Sequence, residues 1–184
     1  MHDDRIDFES DSYVLAVEGH VIFIDPLPVD ERELAQHGPP EAICLSASCH
    51  ERSAWRYRRR YQIPVYAPHG GVDFEEPPNH WYRGGEPLPG GLLAVHAPGP
   101  TEAHYAFYLE RAGGIVFCAD LLTNTEGAGL AFVPDEYQDE PARTRDSVRR
   151  LMELRVEILC SNHGAPVMGG VRAALEQVLL RDRG

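Results

Sequence analysis

The sequence predicts an α/β sandwich with two β-rich halves and helices packed outside them. The chain has 184 residues, which suits a single domain over 1–184. Apolar residues make up 43% of the chain, enough for a buried core. Strand-like apolar runs come first, then alternate with helical patterns, and strands and helices recur towards the end. This order of elements is typical of sheets covered by helices.

The chain opens with a hairpin pattern. Apolar runs over 12–17 and 21–25 flank Glu18-Gly19-His20, a glycine-containing turn. A short helix is predicted over 29–36, and its end is marked by the Gly-Pro-Pro run over 38–40. The first two strands therefore pair directly, before any helix intervenes.

The remaining elements follow from apolar periodicity. Further strands are predicted over 41–46, 65–67, 92–96, 105–109, 114–118 and 157–160. Further helices are predicted over 51–61, 141–154 and 171–180. Residues 68–91 are rich in Gly and Pro and are predicted as a long loop with room for one short strand. Residues 127–139 lack periodicity and are predicted as irregular.

The charge balance disfavours nucleic acids and membranes as partners. The formal net charge is −12, and an acidic chain repels phosphate backbones and anionic lipids. The sequence contains no apolar run of the roughly 20 residues that span a bilayer, and its N-terminus lacks the pattern of a secretory signal. We therefore expect a cytoplasmic protein, with a small molecule as its ligand if it binds one and with reduced cysteines.

Three short segments that follow predicted strands contain the residue types that perform chemistry. They are residues 46–52, residues 118–120 and residues 162–164. Loops at strand ends are where ligands usually bind in sheets flanked by helices. Thiol, imidazole and carboxylate groups together can hold a transition metal. Each segment also has an ordinary structural explanation, such as a turn aspartate or a histidine that caps a helix.

In their order and context, these segments resemble the metallo-β-lactamase superfamily over nearly the whole chain. Five segments carry the resemblance, namely VIFIDP at 21–26, ICLS at 43–46, HAPGPT at 96–101, IVFCAD at 115–120 and LCSNHG at 159–164. They resemble, in turn, the strand before the family's Asp-Thr-Gly-type turn, the strand before its His-x-His-x-Asp-His motif, its Thr-Pro-Gly-His-Thr loop, the strand with its metal-bridging Asp, and its closing His-Gly. The resemblance implies a four-layer αββα sandwich.

The positions that hold the family's first metal ion have lost their donors. The resemblance places Ala47, Cys49 and Pro100 where the family has three histidines. Alanine and proline side chains offer no ligand, whereas a catalytic zinc ion takes about three protein ligands. We therefore expect the first metal site to be absent, with very weak or no β-lactamase or glyoxalase-type activity.

The positions of the family's second metal ion keep three possible ligands. The resemblance places Glu51, Arg52, Asp120 and His163 there. In one interpretation, the Arg52 guanidinium pairs with Glu51 and Asp120 and replaces the metal. The protein would then be an inactive member of the fold that binds a small molecule or a protein partner.

In the other interpretation, one divalent ion (zinc, iron or manganese) occupies a rearranged site and supplies hydroxide. Its candidate ligands are Cys49, His50, Glu51, Asp120 and His163. Asp120 would also orient the water, and Arg52 would bind an anionic group or stabilise an oxyanion. The protein would then hydrolyse an ester, lactone or thioester-like substrate.

Further candidates surround these positions. The residues predicted to line the substrate pocket are His50, His104, Trp81 and Tyr82. Asp25 is expected to brace the site from behind. Cys49, beside His50 at a helix start, also admits a nucleophilic role. A homodimer is expected because small members of this fold commonly pair.

Overall fold

Twelve strands and four helices occupy residues 10–34 and 36–182, which are the residues that the computed structural model describes. Strands β1 to β12 are Tyr13–Val17, His20–Ile24, Ala42–Cys44, Val65–Pro68, His80–Tyr82, Leu93–His96, Tyr105–Leu109, Ile115–Ala119, Leu122–Thr125, Gly129–Phe132, Ile158–Ser161 and Val167–Met168. Helices α1 to α4 are Glu31–Leu34, Ala54–Tyr61, Pro141–Leu151 and Val171–Arg181. None of these helices has the length and apolar character needed to cross a bilayer.

The first hairpin forms because its two-residue turn suits twisted strands. Glu18 and Gly19 have φ angles of 50° and 87°. Positive φ at both central residues is the mark of a type I′ turn, which matches the right-handed twist of the flanking strands. β1 and β2 pair antiparallel, with Val17 opposite His20. The predicted hairpin is confirmed, although His20 belongs to the strand.

The strands form two five-stranded sheets and a separate hairpin. The sheet orders are β1-β2-β3-β4-β5 and β12-β11-β8-β7-β6, while β9 pairs with β10. β2, β3, β4 and β5 are parallel neighbours in the first sheet. β8 and β11 are parallel neighbours in the second. Parallel neighbours end at the same edge of a sheet, so each sheet presents a group of carboxyl-terminal loops.

Alternation along the central strands explains the layers. In β2, Ile22 packs into the apolar cluster between the two sheets, whereas Phe23 packs with α2. In β8, Phe117 lies in that same inter-sheet cluster, whereas Val116 packs with α3 and α4. Successive side chains of a strand point to opposite faces, so each sheet has one face on the other sheet and one on helices. The layers are therefore helix, sheet, sheet and helix, as expected.

Some predicted boundaries differ from the structure. Of the helix predicted over 29–36, the described residues show one helical turn, Glu31–Leu34. α2 begins at Ala54 because a 3₁₀ turn, Ser48–His50, intervenes after β3. The β9–β10 hairpin was not predicted, since two four-residue strands are too short for periodicity to reveal.

Candidate metal centre

The centre lies where the carboxyl ends of strands from both sheets meet. Asp25 follows β2, residues 46–52 follow β3, Asp120 follows β8 and His163 follows β11. Side chains as well as backbone join the sheets at this edge. Asn162 Nδ2 donates to Asp25 Oδ2 over 2.9 Å, and His50 Nε2 lies 2.8 Å from Asp120 Oδ2. The three segments singled out in the sequence therefore do converge.

Left-handed backbone at two strand ends helps to aim the carboxylates. Asp25 has φ of 48°, and so does Ala119, the residue before Asp120. This conformation is uncommon for residues other than glycine. It turns the chain sharply after β2 and after β8. The two aspartates consequently lie on either side of the residue that links them, His50.

His50 is buried between these two carboxylates. Its Nε2 lies 2.8 Å from Asp120 Oδ2, and its Nδ1 lies 3.2 Å from Asp25 Oδ2 and 2.7 Å from Ser46 Oγ. Burial alone would lower the pKa of His50. The negative charges of Asp120 and Asp25 outweigh burial and raise that pKa well above its ordinary value.

Asp120 connects His50 to His163. Its Oδ2 faces His50, and its Oδ1 lies 3.2 Å from His163 Nε2. Burial would raise the pKa of Asp120, but the two imidazoles reverse this effect and hold that pKa well below its usual range. The Asp120 side chain keeps 22% of its surface exposed. It is therefore an ionised group that solvent and ligands can reach.

The closing loop holds His163 through its backbone. Asn124 N, on β9, donates to His163 O over 2.7 Å. The next residue, Gly164, has φ of 98°, and a Cβ built there would lie 2.1 Å from Asn124 O. Only glycine fits this close approach. The glycine thus allows β9 to pack directly against the loop that carries His163.

His104 supports Asp120 from within the core. It is fully buried, its Nδ1 lies 2.8 Å from Ala97 O, and Asp120 N donates to its Nε2 over 3.3 Å. A carbonyl oxygen only accepts, so Nδ1 carries the proton and Nε2 is the acceptor. Burial lowers the pKa of His104 to about 4, which keeps the ring neutral. The prediction that His104 lines the substrate pocket is wrong, since it lies beneath that pocket.

An open cavity of about 650 Å³ lies over the centre. Its lining residues are Ser48, Cys49, His50, Glu51, Arg52, Val72, Asp73, Glu75, Asp120 and His163. Four of them are acidic, and an acidic concave wall raises the local concentration of cations. The cavity therefore gives a positively charged ion or group direct access to Asp120.

Three of the lining side chains are close enough to share one metal ion. The ligand atoms of Cys49, His50 and Asp120 all lie within 4.8 Å of one another. A set of sulfur, nitrogen and oxygen donors suits zinc and other transition metals. His50 also has the outer support of a ligating histidine, because its second nitrogen faces Ser46 and Asp25. These residues fit a single metal ion.

Glu51 does not join the three donors. Its Oε2 accepts hydrogen bonds from Trp55 Nε1 over 2.8 Å and from Glu75 N over 2.9 Å. These two donors draw the carboxylate towards α2 and the 72–75 loop. The prediction of Glu51 as a metal ligand is corrected accordingly. Two metal ions do not fit this edge either, because the remaining positions expected to supply ligands include Ala47 and Pro100.

Arg52 binds backbone and not the carboxylates. Its Nη1 donates to Asp11 O over 2.9 Å and to Asp25 O over 3.3 Å. Among the described residues, Arg52 forms no ion pair with Glu51 or Asp120. The prediction that its guanidinium replaces a metal beside them is therefore wrong. Arg52 instead fastens the N-terminal segment to the end of β2, although it still contributes to the cavity wall.

The two aromatic residues predicted for the pocket lie outside the cavity lining. Tyr82 is 1% exposed, and its hydroxyl donates to Leu45 O over 2.6 Å within the inter-sheet core. Trp81 is 47% exposed, and its ring packs edge-to-face on Phe74 at 5.6 Å. Neighbouring residues of β5 point to opposite faces, so one is core and the other surface. Both predictions are corrected.

Cys49 is exposed and lines the cavity, but its neighbour His50 is not placed to act as its general base. Both nitrogens of His50 already face other groups, namely Asp120 on one side and Ser46 with Asp25 on the other. A nucleophilic thiol needs a free imidazole nitrogen to accept its proton. The geometry therefore favours Cys49 as a ligand over Cys49 as a nucleophile.

Sequence reasoning gave no individual role to Ser46, to Asn162 or to residues 72–75, although the Gly- and Pro-rich stretch 68–91 resembles loops that wall the pocket in this fold. Ser46 and Asn162 both donate to Asp25 and so anchor the carboxylate behind His50. Both follow buried strands, which is the signal that could have identified them. The 72–75 loop supplies the outer wall of the cavity.

Comparison with solved structures identifies the fold. An archaeal metallo-β-lactamase superfamily protein, ST1585 from Sulfolobus tokodaii, matches with a TM-score of 0.74 at 15% identity, over 98% of this chain and 83% of that one. This chain has the metallo-β-lactamase fold. The resemblance seen in the sequence and the predicted four-layer sandwich are both confirmed at the level of the fold.

Two further structures with the metallo-β-lactamase fold align over most of both chains. The B3 metallo-β-lactamase BLEG-1 has a TM-score of 0.71 at 18% identity, over 86% of this chain and 88% of that one. TTHA1623 in a di-iron-bound form has a TM-score of 0.71 at 22% identity, over 89% and 92%. No protein-family model matches the sequence, and no curated protein does. Identities this low establish the fold alone.

Proposed function

We propose that this protein is a hydrolase that uses one divalent metal ion held by Cys49, His50 and Asp120. The observation that carries the proposal is the group of three ligand atoms within 4.8 Å, on the wall of an open cavity. The metallo-β-lactamase fold supports it, since similar structures include a di-iron-bound protein and a B3 metallo-β-lactamase. The substrate class is an ester, lactone or thioester.

The chain's own residues divide the work around this centre. A divalent ion, when bound, lowers the pKa of a coordinated water towards about 7 and polarises a carbonyl group. Asp120 is ionised and reachable, so it can orient a polar hydrogen of water or substrate. His163 Nε2 lies 3.2 Å from Asp120 Oδ1, where it can hold a proton and return it to a leaving group. Val72, 64% exposed, offers an apolar contact for the acyl part of the substrate.

A metal-free binding protein is the second candidate function. The hydrogen bonding around His50 favours it, because both ring nitrogens already face carboxylate or hydroxyl oxygens. A protonated imidazole between Asp25 and Asp120 would supply the positive charge that a metal ion supplies. The cavity would then bind a small molecule without converting it.

Metal content separates the two candidates. Untagged protein purified without added metal would be measured by elemental analysis as wild type, Asp120→Ala and Cys49→Ala, with His20→Ala as the control. His20 is an exposed histidine at the opposite end of β2. We expect near-stoichiometric zinc, iron or manganese in wild type and control, with a fall in the other two variants. Absence of metal, even after incubation with each ion, would favour the metal-free candidate.

Turnover tests the reaction itself. Metal-loaded protein would be assayed on a panel of esters, lactones and thioesters. We expect hydrolysis of at least one class, abolished by Asp120→Asn and retained by His20→Ala. Stoichiometric metal with no turnover anywhere in the panel would contradict the substrate class, while leaving the metal centre in place.

A further inference from the structure

Asp25 acts only as an acceptor in the layer behind His50. It is 1% exposed. Its Oδ1 accepts from Ser46 N over 2.8 Å, and its Oδ2 accepts from Ser46 Oγ over 2.6 Å and from Asn162 Nδ2 over 2.9 Å. Each Asp25 oxygen thus accepts an N–H group, Oδ1 from Ser46 and Oδ2 from Asn162, and an N–H can only donate. With both oxygens used as acceptors, the carboxylate is not the donor towards Ser46.

The Ser46 hydroxyl therefore has a single possible arrangement. It carries one proton, and the Asp25 carboxylate, which cannot donate, takes it. Ser46 Oγ also lies 2.7 Å from His50 Nδ1. With its own proton already directed to Asp25, the hydroxyl can only accept at this second contact. His50 Nδ1 must then carry a hydrogen.

The position of that hydrogen decides which nitrogen faces the cavity with a lone pair. Once Nδ1 is protonated, Nε2 is the nitrogen left to bind a metal ion. Nε2 is also the nitrogen that lies beside Asp120. Histidines that bind metals typically donate their other ring N–H to a fixed acceptor. Ser46 provides such an acceptor, and Asp25 fixes the direction of its hydroxyl.

We propose that Ser46 is a positioning residue, which fixes the hydrogen of His50 on Nδ1 and directs Nε2 to the metal ion. The direction of Nε2 towards a metal ion rests on the proposed function. The position of the hydrogen on Nδ1 rests on hydrogen-bond geometry. Ser46 is 1% exposed and does not line the cavity, so it cannot contact a bound metal ion from there. It acts through His50.

Cobalt affinity tests this positioning role. Co²⁺ alone would be titrated into full-length wild type, Ser46→Ala, Ser46→Thr and a control, Ser147→Ala. Ser147 is an equally buried serine whose hydroxyl donates to Pro98 O, and it does not line the cavity. We expect Ser46→Ala to weaken Co²⁺ binding about 10- to 100-fold, which is the usual effect of losing an outer partner of a metal ligand. Ser147→Ala should bind as wild type does, and Ser46→Thr should recover part of the loss.

Nitrogen-15 NMR of the His50 ring provides a second measurement that needs no variant. We expect a proton bonded directly to Nδ1 in zinc-loaded wild type. We expect the same in metal-free wild type at alkaline pH, where the ring is neutral and carries a single proton. An unprotonated Nδ1, or Ser46→Ala with wild-type affinity for Co²⁺, would overturn the role of Ser46. Failure of wild type to bind Co²⁺ would instead contradict the proposed function, and the NMR signal of Nδ1 would still decide where the hydrogen lies. If Ser46→Ala does not fold, the same signal decides the proposal.

Discussion

Two buried histidines occupy neighbouring regions of this edge, and their surroundings give them opposite charge states. The rings of His50 and His104 lie 6.5 Å apart, and they are 3% and 0% exposed. His50 faces the carboxylates of Asp25 and Asp120, which raise its pKa. His104 faces a carbonyl oxygen and a backbone N–H, and burial lowers its pKa to about 4. Similar burial therefore produces a cation in one region and a neutral ring in the other, because the partners differ.

The two histidines have different tasks. His50 and Asp120 form an ion pair at the wall of the cavity. His104 is neutral and accepts a hydrogen bond from the backbone N–H of Asp120 beneath that wall. Variants that remove a charge should therefore destabilise the His50–Asp120 pair, and a fall of pH in the acid range should destabilise the protein through His104.

The largest effect on the free energy of unfolding is expected for Asp120→Asn, measured in the presence of a chelator so that no metal ion contributes. This change leaves the positive charge of His50 buried beside a neutral amide. Loss of one partner of a buried pair should lower the free energy of unfolding by about 3 kcal/mol. Asp135→Asn is the matched control, because Asp135 pairs with Arg145 at 2.8 Å but is 63% exposed. The control should lose less than about 1 kcal/mol. Equal losses in urea unfolding at neutral pH would contradict the charged state of His50.

A comparable effect is expected from pH through His104. Its pKa is about 4 in the folded protein and 6.5 as a model value, so the unfolded chain takes up the proton first as the pH falls. Stability from this group is complete above about pH 6.5 and is lost down to about pH 4, by roughly 3 kcal/mol in all. His104→Gln should remove this part of the pH dependence. Urea unfolding of both proteins across that range, in a chelator, measures the difference. Parallel curves would contradict a neutral His104.

The smallest effect on the free energy of unfolding is expected for the exposed pair of His20 and Glu41, at the opposite end of β2. His20 Nδ1 lies 2.7 Å from Glu41 Oε2, a distance close to that between His50 and Asp120, but these side chains are 58% and 51% exposed. The hydrogen bond to Glu41 and its charge raise the pKa of His20. Because the folded pKa is raised, any stability from the pair is present below the unfolded pKa and lost as the pH rises through the folded one.

Glu41→Gln should lower the pKa of His20 towards its ordinary value, as followed by NMR titration. The midpoint of urea unfolding should not change measurably, because solvent screens exposed pairs. A clear loss of stability in this variant would mean that burial is not what distinguishes the two ends of β2.

The four-layer fold was predictable because five segments resemble the metallo-β-lactamase superfamily in their order along the chain. The all-apolar run over 21–24 is typical of a strand covered on both faces, and Ile22 and Phe23 do pack on opposite faces. The convergence of Asp120 and His163 followed from their positions at strand ends, and the structure places them 3.2 Å apart. These features depend on strand order and on the period of the pattern.

The sequence did not predict that His50, and not Arg52, lies beside Asp120. The 3₁₀ turn Ser48–His50 sets which side chain of the loop points inward, and Arg52, two residues after the turn, has φ of 40°. A rotation of the chain by one or two residues exchanges the inward side chain, and no periodicity records it. The acceptors that capture Arg52, the carbonyls of Asp11 and Asp25, come from distant parts of the chain. Such contacts exist only once the fold is complete.

The absorption spectrum of the Co²⁺-loaded protein tests most directly whether one metal ion shares Cys49, His50 and Asp120, as we propose. We expect Co²⁺ binding to saturate at one ion for each chain, with an intense thiolate-to-cobalt charge-transfer band. The band should be absent in Cys49→Ser and unchanged in His20→Ala, which leaves the centre intact. No Co²⁺ binding, or an identical band in Cys49→Ser, would contradict the shared centre.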